Sequence, residues 1–383
     1  MTKARFNISM LKYFVKNVFM GRPHLRHVLI IFLVLFLLLS ILWVDVIETW
    51  WMGPYWRYKP PELCTQKEDD LKSLRREQTL LKLQSENFFT ITNEKLCTAS
   101  SPFLLTFIIS APKNFALRAL IRNTWANRTS IGGRRVLSLF ALGISTQNDD
   151  QRLIQNESKK FQDLIQGNFQ DTYANLTLKT ISILRWTAAF CPEAQYIMKV
   201  DDDVLVRYDV LIPYLVKSAQ SGPANGEQDL YMGYLQRRIT PIRDPDSKYF
   251  LPKKAYPNES YPDYCSGTAY VLSRSAAHKI YEVTFRTPWF IFEDVYVGMC
   301  AQKVGVIPTH CSLFSGGPRI PYSRCCFRAL IAAHHISPAE LSLYWQDITN
   351  GPECSWISTH VAFGICKFKT LLKNVMSWSL NYN

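Results

Sequence analysis

Between residues 103 and 206 the chain alternates between two hydrophobic periods. The apolar runs FLLTFIIS (103 to 110), RVLSLFALG (135 to 143) and YIMKV (196 to 200) have the length and composition of strands buried on both faces. Between them, ALRALIRNTW and the stretches over about 150 to 165 and 174 to 190 repeat apolar residues at helical spacing. Strands alternating with helices predict βαβ units, hence an α/β fold with a mostly parallel sheet and flanking helices. Ligands of such sheets collect beyond the carboxyl ends of the strands, and YIMKV runs directly into Asp201, Asp202 and Asp203.

The pattern upstream is different. From Val28 to Val44 the only polar residue is Ser40, and continuing to Ile47 gives about 20 residues, close to the thickness of a bilayer. A buried core helix and a cleaved signal peptide are the alternatives. Against them, the run is apolar on all sides, it ends without a small-x-small exit site, and Trp43, Trp50, Trp51, Tyr55 and Trp56 follow like an interfacial belt. Lys3, Arg5, Lys12, Lys16, Arg22 and Arg26 precede it with no acidic residue, whereas Asp45 and Glu48 follow, which orients the N-terminus to the cytosol. The expected organisation is a cytosolic tail (1–27), a transmembrane signal anchor (28–47), a stem (48–100) with a mixed-charge helical stretch, and one lumenal catalytic domain (101–383).

Composition agrees with a folded lumenal domain. The chain is 48% hydrophobic and 20% charged, which excludes wholesale disorder. All 10 cysteines follow the apolar run, as disulfides in an oxidising lumen require. Sequons at Asn127, Asn156, Asn175 and Asn258 are expected to carry glycan, and the one at Asn7, on the cytosolic side, is expected to stay bare. The formal net charge of +13 would suit nucleic acid, but a lumenal domain rarely meets any, so nucleotide phosphates or acidic glycans are the expected anions.

Four groups could carry chemistry. Three consecutive carboxylates at a strand end repel one another, so Asp201 to Asp203 need either full solvation or a divalent cation that bridges them to a diphosphate. Arg118 and Arg122 share a helix face and could clamp phosphate oxygens, or form an ordinary basic surface. Glu293 and Asp294, between the apolar pairs IF and VY, are either a general base with a raised pKa or a helix N-terminal charge pair. His334 and His335 precede Ser337 and Pro338; neutral imidazole beside aspartate would favour manganese over magnesium.

In this order the blocks RALIRNTW (118 to 125), FALG (140 to 143), FQDTYANLTLKT (169 to 180), RWTAAFCPEAQYIMKVDDDVLV (185 to 206), YPDYCSGTAYVLS (261 to 273), FEDVYVG (292 to 298) and HHISPAEL (334 to 341) resemble the β-1,3-glycosyltransferases. These are inverting, type II Golgi membrane enzymes, and YCSG followed by EDVYVG is similar to their galactosyltransferase branch. The resemblance implies a GT-A-like fold, a UDP-sugar donor, a glycan acceptor on glycoprotein or glycolipid, and Mn2+. It implies that Asp203 and His334 bind the metal, that Asp294 is the base beside Glu293, and that Arg118, Arg122, Lys199, Asp201 and Asp202 serve the donor. Leu205, Arg207 and Ala269 depart from the usual pattern, which leaves open both UDP-galactose and UDP-GlcNAc as donor. A catalytically silent lectin or chaperone on the same fold is the alternative of a different class.

Overall fold

The computed structural model describes residues 88–220 and 229–380, together with His27, Ile31, Phe32, Trp43 and Glu48. Its strands are β1 (Phe89–Ile91), β2 (Leu104–Ile109), β3 (Ser130–Ile131), β4 (Arg134–Ile144), β5 (Leu164–Gln170), β6 (Tyr196–Asp201), β7 (Leu205–Val206), β8 (Tyr231–Gln236), β9 (Tyr264–Ser273), β10 (Pro308–His310) and β11 (Ala332–Ala333). The helices are α1 (Phe115–Asn123), α2 (Asn148–Phe161), α3 (Leu176–Phe190), α4 (Tyr208–Gln220), α5 (Arg274–Thr284), α6 (Glu293–Lys303), α7 (Arg324–Ala329), α8 (Pro338–Asn350) and α9 (Trp356–Leu380).

The main sheet runs β1-β5-β4-β2-β6-β9-β8-β10, with β3 hairpinned onto β4 through Gly132 and Gly133, both at positive φ. The pairs β5-β4, β4-β2 and β2-β6 are parallel, as the strand and helix alternation predicts. Strand β9 then reverses direction between β6 and β8. This reversal matters for the site, because β9 brings a second set of residues against β6 from the opposite sense. All six residues of β2 are buried, and they alternate between two cores: Leu105, Phe107 and Ile109 pack on one face of the sheet, Leu104 and Ile108 on the other.

Two expectations shift. The helix expected over 150 to 165 stops at Phe161, where Gln162 turns left-handed, and LIQGNFQ forms β5 instead. That strand mixes Gln, Gly and Asn with its apolar residues, so it carries no continuous apolar run to read. Residues 88–100, expected in the stem, contribute to the fold: Phe88 is in the core, β1 pairs antiparallel with β5, and Cys97 is disulfide-bonded to Cys191. Two further disulfides, Cys325–Cys354 and Cys326–Cys366, fasten the α8–α9 connection and α9 to α7. Among the described residues no helix is long and apolar enough to cross a membrane. The apolar run 28–47, apart from Ile31, Phe32 and Trp43, lies outside them.

Candidate active site

Strand β6 ends at Asp201, and the turn after it carries Asp202 and Asp203. The three carboxylates part company there. Asp201 accepts a bond from Lys199 Nζ at 2.7 Å. Asp202 turns toward the end of β2 and accepts from Ser110 Oγ at 2.8 Å and Asn114 Nδ2 at 2.9 Å. Asp203 faces a cavity of about 650 Å³ that Asp201, Lys199, Glu293, Asp294, His334 and His335 also line. Burial raises the pKa of Asp203, as does the neighbouring charge of Asp202, so the carboxylate favours a cation at this place.

His334 reaches Asp203 through a two-stranded ribbon far from it in sequence. Strands β7 and β11 pair antiparallel, and the Ile336 N–H donates to the Asp203 carbonyl at 2.9 Å, which locks HHIS onto the acidic turn. Ligand atoms of Asp203, His334 and His335 lie within 4.8 Å of one another. Burial, and then His335, lower the His334 pKa to about 4, so its ring is neutral and one of its two nitrogens has a free lone pair. Its Nδ1 is buried without a hydrogen-bond partner. A neutral imidazole with an orphaned nitrogen beside a carboxylate fits a divalent metal ion.

On the opposite sense of the sheet, α6 presents Glu293 and Asp294. The helix can approach β9 because residue 298 is glycine: a Cβ there would come within 2.6 Å of Tyr264 Cβ. Glu293 is buried and turned inward, accepting from Tyr270 Oη at 2.8 Å and lying 3.4 Å from Lys199 Nζ. It therefore braces Lys199 from the first turn of the helix, and Phe292 holds the cap position without a side-chain bond. Asp294 lines the cavity, its Oδ2 accepting from Gly267 N–H at 3.1 Å and its Oδ1 from Val295 N–H at 2.9 Å. Burial, followed by the charge of Glu293, pushes its pKa up to about 6 against the pull of those two N–H groups. A half-buried carboxylate with that pKa is ionised at neutral pH and basic enough to accept a proton.

Lys199 joins the two carboxylate groups. Burial disfavours its charge, but Asp201 and Glu293 more than compensate and hold the ammonium above the ordinary lysine range. It also donates to the Gly267 carbonyl. With two protein acceptors and the Glu293 carboxylate 3.4 Å away, the ammonium is committed to the frame of the site.

The arginine pair is placed differently from the carboxylates. Arg118 is fully buried, bound to Glu157 at 2.6 Å and to the carbonyls of Ala111 and Pro112. Arg122 spans Glu157 and Asp163, both at 2.7 Å. Neither lines the cavity. Arg118 reaches the acidic turn through Ser110, whose hydroxyl it contacts at 3.4 Å and which in turn binds Asp202. On the same side, Lys179 ties the Ser110 carbonyl to Asp171, which accepts the Gly143 N–H at 2.6 Å. Of the sequons, Asn127 and Asn156 are exposed, while Asn175 and Asn258 are half-buried.

The sequence model of the galactosyltransferases matches residues 116–312. The chain belongs to the galactosyltransferase family. It is 37% identical to human beta-1,3-galactosyltransferase 9 over 305 residues, which cover 79% of this chain and 81% of that protein. It is 39% identical to mouse beta-1,3-galactosyltransferase 2 over 269 residues, covering 69% and 63% of the two. Human beta-1,3-galactosyltransferase 1 is 37% identical over 262 residues, covering 68% and 78%. As a member of this family the chain is a glycosyltransferase, and the acidic turn, the histidines and Asp294 all face one cavity within the domain.

Several residues of the site were not singled out in sequence. Gly267 donates its N–H to Asp294, and a Cβ there would lie 3.0 Å from Glu293. Tyr270 and Ser110 orient Glu293 and Asp202. Tyr249, Tyr261 and Phe292 form an aromatic wall of the cavity. YCSG does mark Gly267, but nothing local announces the partners it meets on α6.

Proposed function

We propose that this chain transfers galactose from UDP-galactose to a hydroxyl of a glycan acceptor, forming a β-1,3 linkage with inversion by a single displacement. The observation that carries this reading is the division of the cavity's acidic groups. Asp203 with His334 and His335 makes a metal-binding set at one wall, and Asp294, its pKa pushed up to about 6, makes a separate carboxylate at another. An inverting displacement needs both: charge neutralisation at the leaving diphosphate and a base at the attacking hydroxyl.

Asp203 and His334 would hold a divalent ion, with His335 beside them, and the ion when bound neutralises charge on the diphosphate. Arg118 and Arg122 serve the donor at one remove: Arg118 fixes Ser110, Ser110 fixes Asp202, and Asp202 keeps the turn in shape for Asp203. Lys199 and Asp201 set the floor between the two walls. At Asp294 the two backbone N–H bonds leave a lone pair on each oxygen, and one takes the acceptor proton as the new C–O bond forms and the bond to UDP breaks. Tyr249, Tyr261 and Phe292 suit the apolar face of an acceptor pyranose.

The GT-A-like description is supported by the reversed β9 beside a parallel sheet with an acidic turn at the end of β6. Golgi residence with a type II anchor rests on the apolar run and on the resemblance to the type II Golgi β-1,3-glycosyltransferases, and the disulfides accord with a lumenal domain. Glycan at Asn127 or Asn156 with Asn7 bare would support that topology; glycan at Asn7 alone would reverse it. The donor is tested by incubating the purified chain with manganese, an acceptor array and either UDP-galactose or UDP-GlcNAc. Galactose incorporation supports the reading, exclusive GlcNAc incorporation replaces the donor, and no transfer from either supports a silent lectin or chaperone.

A further inference from the structure

Helix α9 is fixed to the domain along one side, where Phe363, Cys366 and Lys367 are buried and Cys366 is bonded to Cys326. Its other side is apolar and uncovered among the described residues. Ile357, Val361 and Ile365, each four residues apart, make one stripe, with Ile357 67% exposed. Leu371, 50% exposed, borders it on the Ile357 side of the helix, and Trp356, 73% exposed, stands at the start of the helix. The exposed His360 and Lys369 flank the stripe. A helix facing bulk water would carry polar side chains here. An apolar stripe with a terminal Trp and flanking basic residues is the pattern of a helix lying in a membrane interface.

A second observation says which surface covers it. Glu48 directly follows the apolar run 28–47 in sequence, and its carboxylate pairs with Lys367 of α9 at 2.9 Å. Lys367 is only 5% exposed there and Glu48 21%, so the pair is largely withdrawn from solvent. His310 is also near Glu48, at 3.7 Å, but burial and the charges of Lys367 and Arg237 lower its pKa to about 4, which makes Lys367 the charged partner. The point where the apolar run ends is thus attached to the same helix that bears the stripe.

We propose that the apolar stripe of α9 rests in the interfacial layer of the bilayer that holds the chain's anchor, so that the catalytic domain is docked on the membrane at two places. The inference rests on the anchor reading under Proposed function, and one experiment separates them. The full chain is reconstituted in phosphatidylcholine vesicles containing a phosphatidylcholine with a diazirine near the glycerol end of an acyl chain. After irradiation, lipid adducts are mapped by peptide mass spectrometry.

Adducts on both 28–47 and 356–371 are expected. A triple variant, Ile357→Asp, Val361→Asp and Ile365→Asp, should lose roughly tenfold or more of the α9 adduct while the 28–47 adduct persists. Its transfer to a water-soluble acceptor should stay unchanged, which shows that it folds. Adducts on 28–47 with none on 356–371 of the unmodified chain overturn the docking and leave the anchor standing; a second copy or residues 49–87 would then cover the stripe. Adducts on neither segment overturn both.

Discussion

Replacing Asp294 by Asn tests the base and can be worked through in free energy. Burial and Glu293 raise the folded pKa from 3.8 to about 6. A carboxyl whose pKa is raised by folding contributes most to stability below its unfolded value, and that contribution is lost as pH rises through the folded value. Two units at about 1.4 kcal/mol each make ionised Asp294 cost the fold about 3 kcal/mol at neutral pH. Asn removes that cost, but it has one acceptor oxygen for the two N–H groups of Gly267 and Val295. The unpaired donor costs about 1–3 kcal/mol, so the two effects nearly cancel.

The variant should therefore melt close to the unmodified protein at pH 7 while its stability varies less with pH between 4 and 7. Turnover should fall roughly 100-fold or more, because Asn cannot take the acceptor proton. In the unmodified enzyme, kcat/KM should drop below pH of about 6 as Asp294 protonates. Calorimetry at several pH values and initial-rate assays make the comparison. Near-normal turnover in a folded Asp294→Asn protein refutes the assignment, and a variant that has unfolded at pH 7 refutes the stability balance.

Lys199→Met leaves Glu293 and Asp201 without their shared cation, so the acid limb of the rate profile should move up by about one unit or more, read from kcat/KM against pH. His334→Ala should weaken manganese-dependent UDP binding by roughly tenfold or more in titration calorimetry, and chelator should abolish transfer by the unmodified chain; UDP binding unaffected by either would remove the metal from the account. Gly298→Ala forces α6 away from Tyr264 and should destabilise the fold by about 1–3 kcal/mol in thermal melts, with turnover falling because Asp294 moves with the helix.

The sequence discloses what is local and conceals what depends on distant partners. The apolar runs of β2, β4 and β6 are legible because strands buried on both faces need continuous hydrophobicity, and Asp201 to Asp203 are legible as charges at the end of such a strand. Strand β5 is not, since its polar and glycine residues interrupt the run. The basic face of α1 has the spacing of a phosphate clamp, but its partners Glu157 and Asp163 lie on α2 and just before β5, and only the fold shows the charges neutralised internally. The approach of His334 to Asp203 depends on a two-residue ribbon joining segments far apart in the chain, and such short pairing leaves no periodicity to detect. Glu293 and Asp294 look alike in sequence; their roles separate only because Lys199 and Tyr270 claim one and the cavity receives the other.

The central claim is an inverting, metal-dependent transfer of galactose, and the product's anomeric configuration tests it most directly. UDP-galactose carries its sugar in the α configuration, so a single displacement with Asp294 as base must give a β-linked product. Two-dimensional NMR of the oligosaccharide made with manganese and UDP-galactose reports both the anomer and the linked carbon. The account predicts a β-galactosyl residue on the acceptor's 3-position, formed only with metal present; an α-linked product, or a β-linked one formed equally well in chelator, would contradict it.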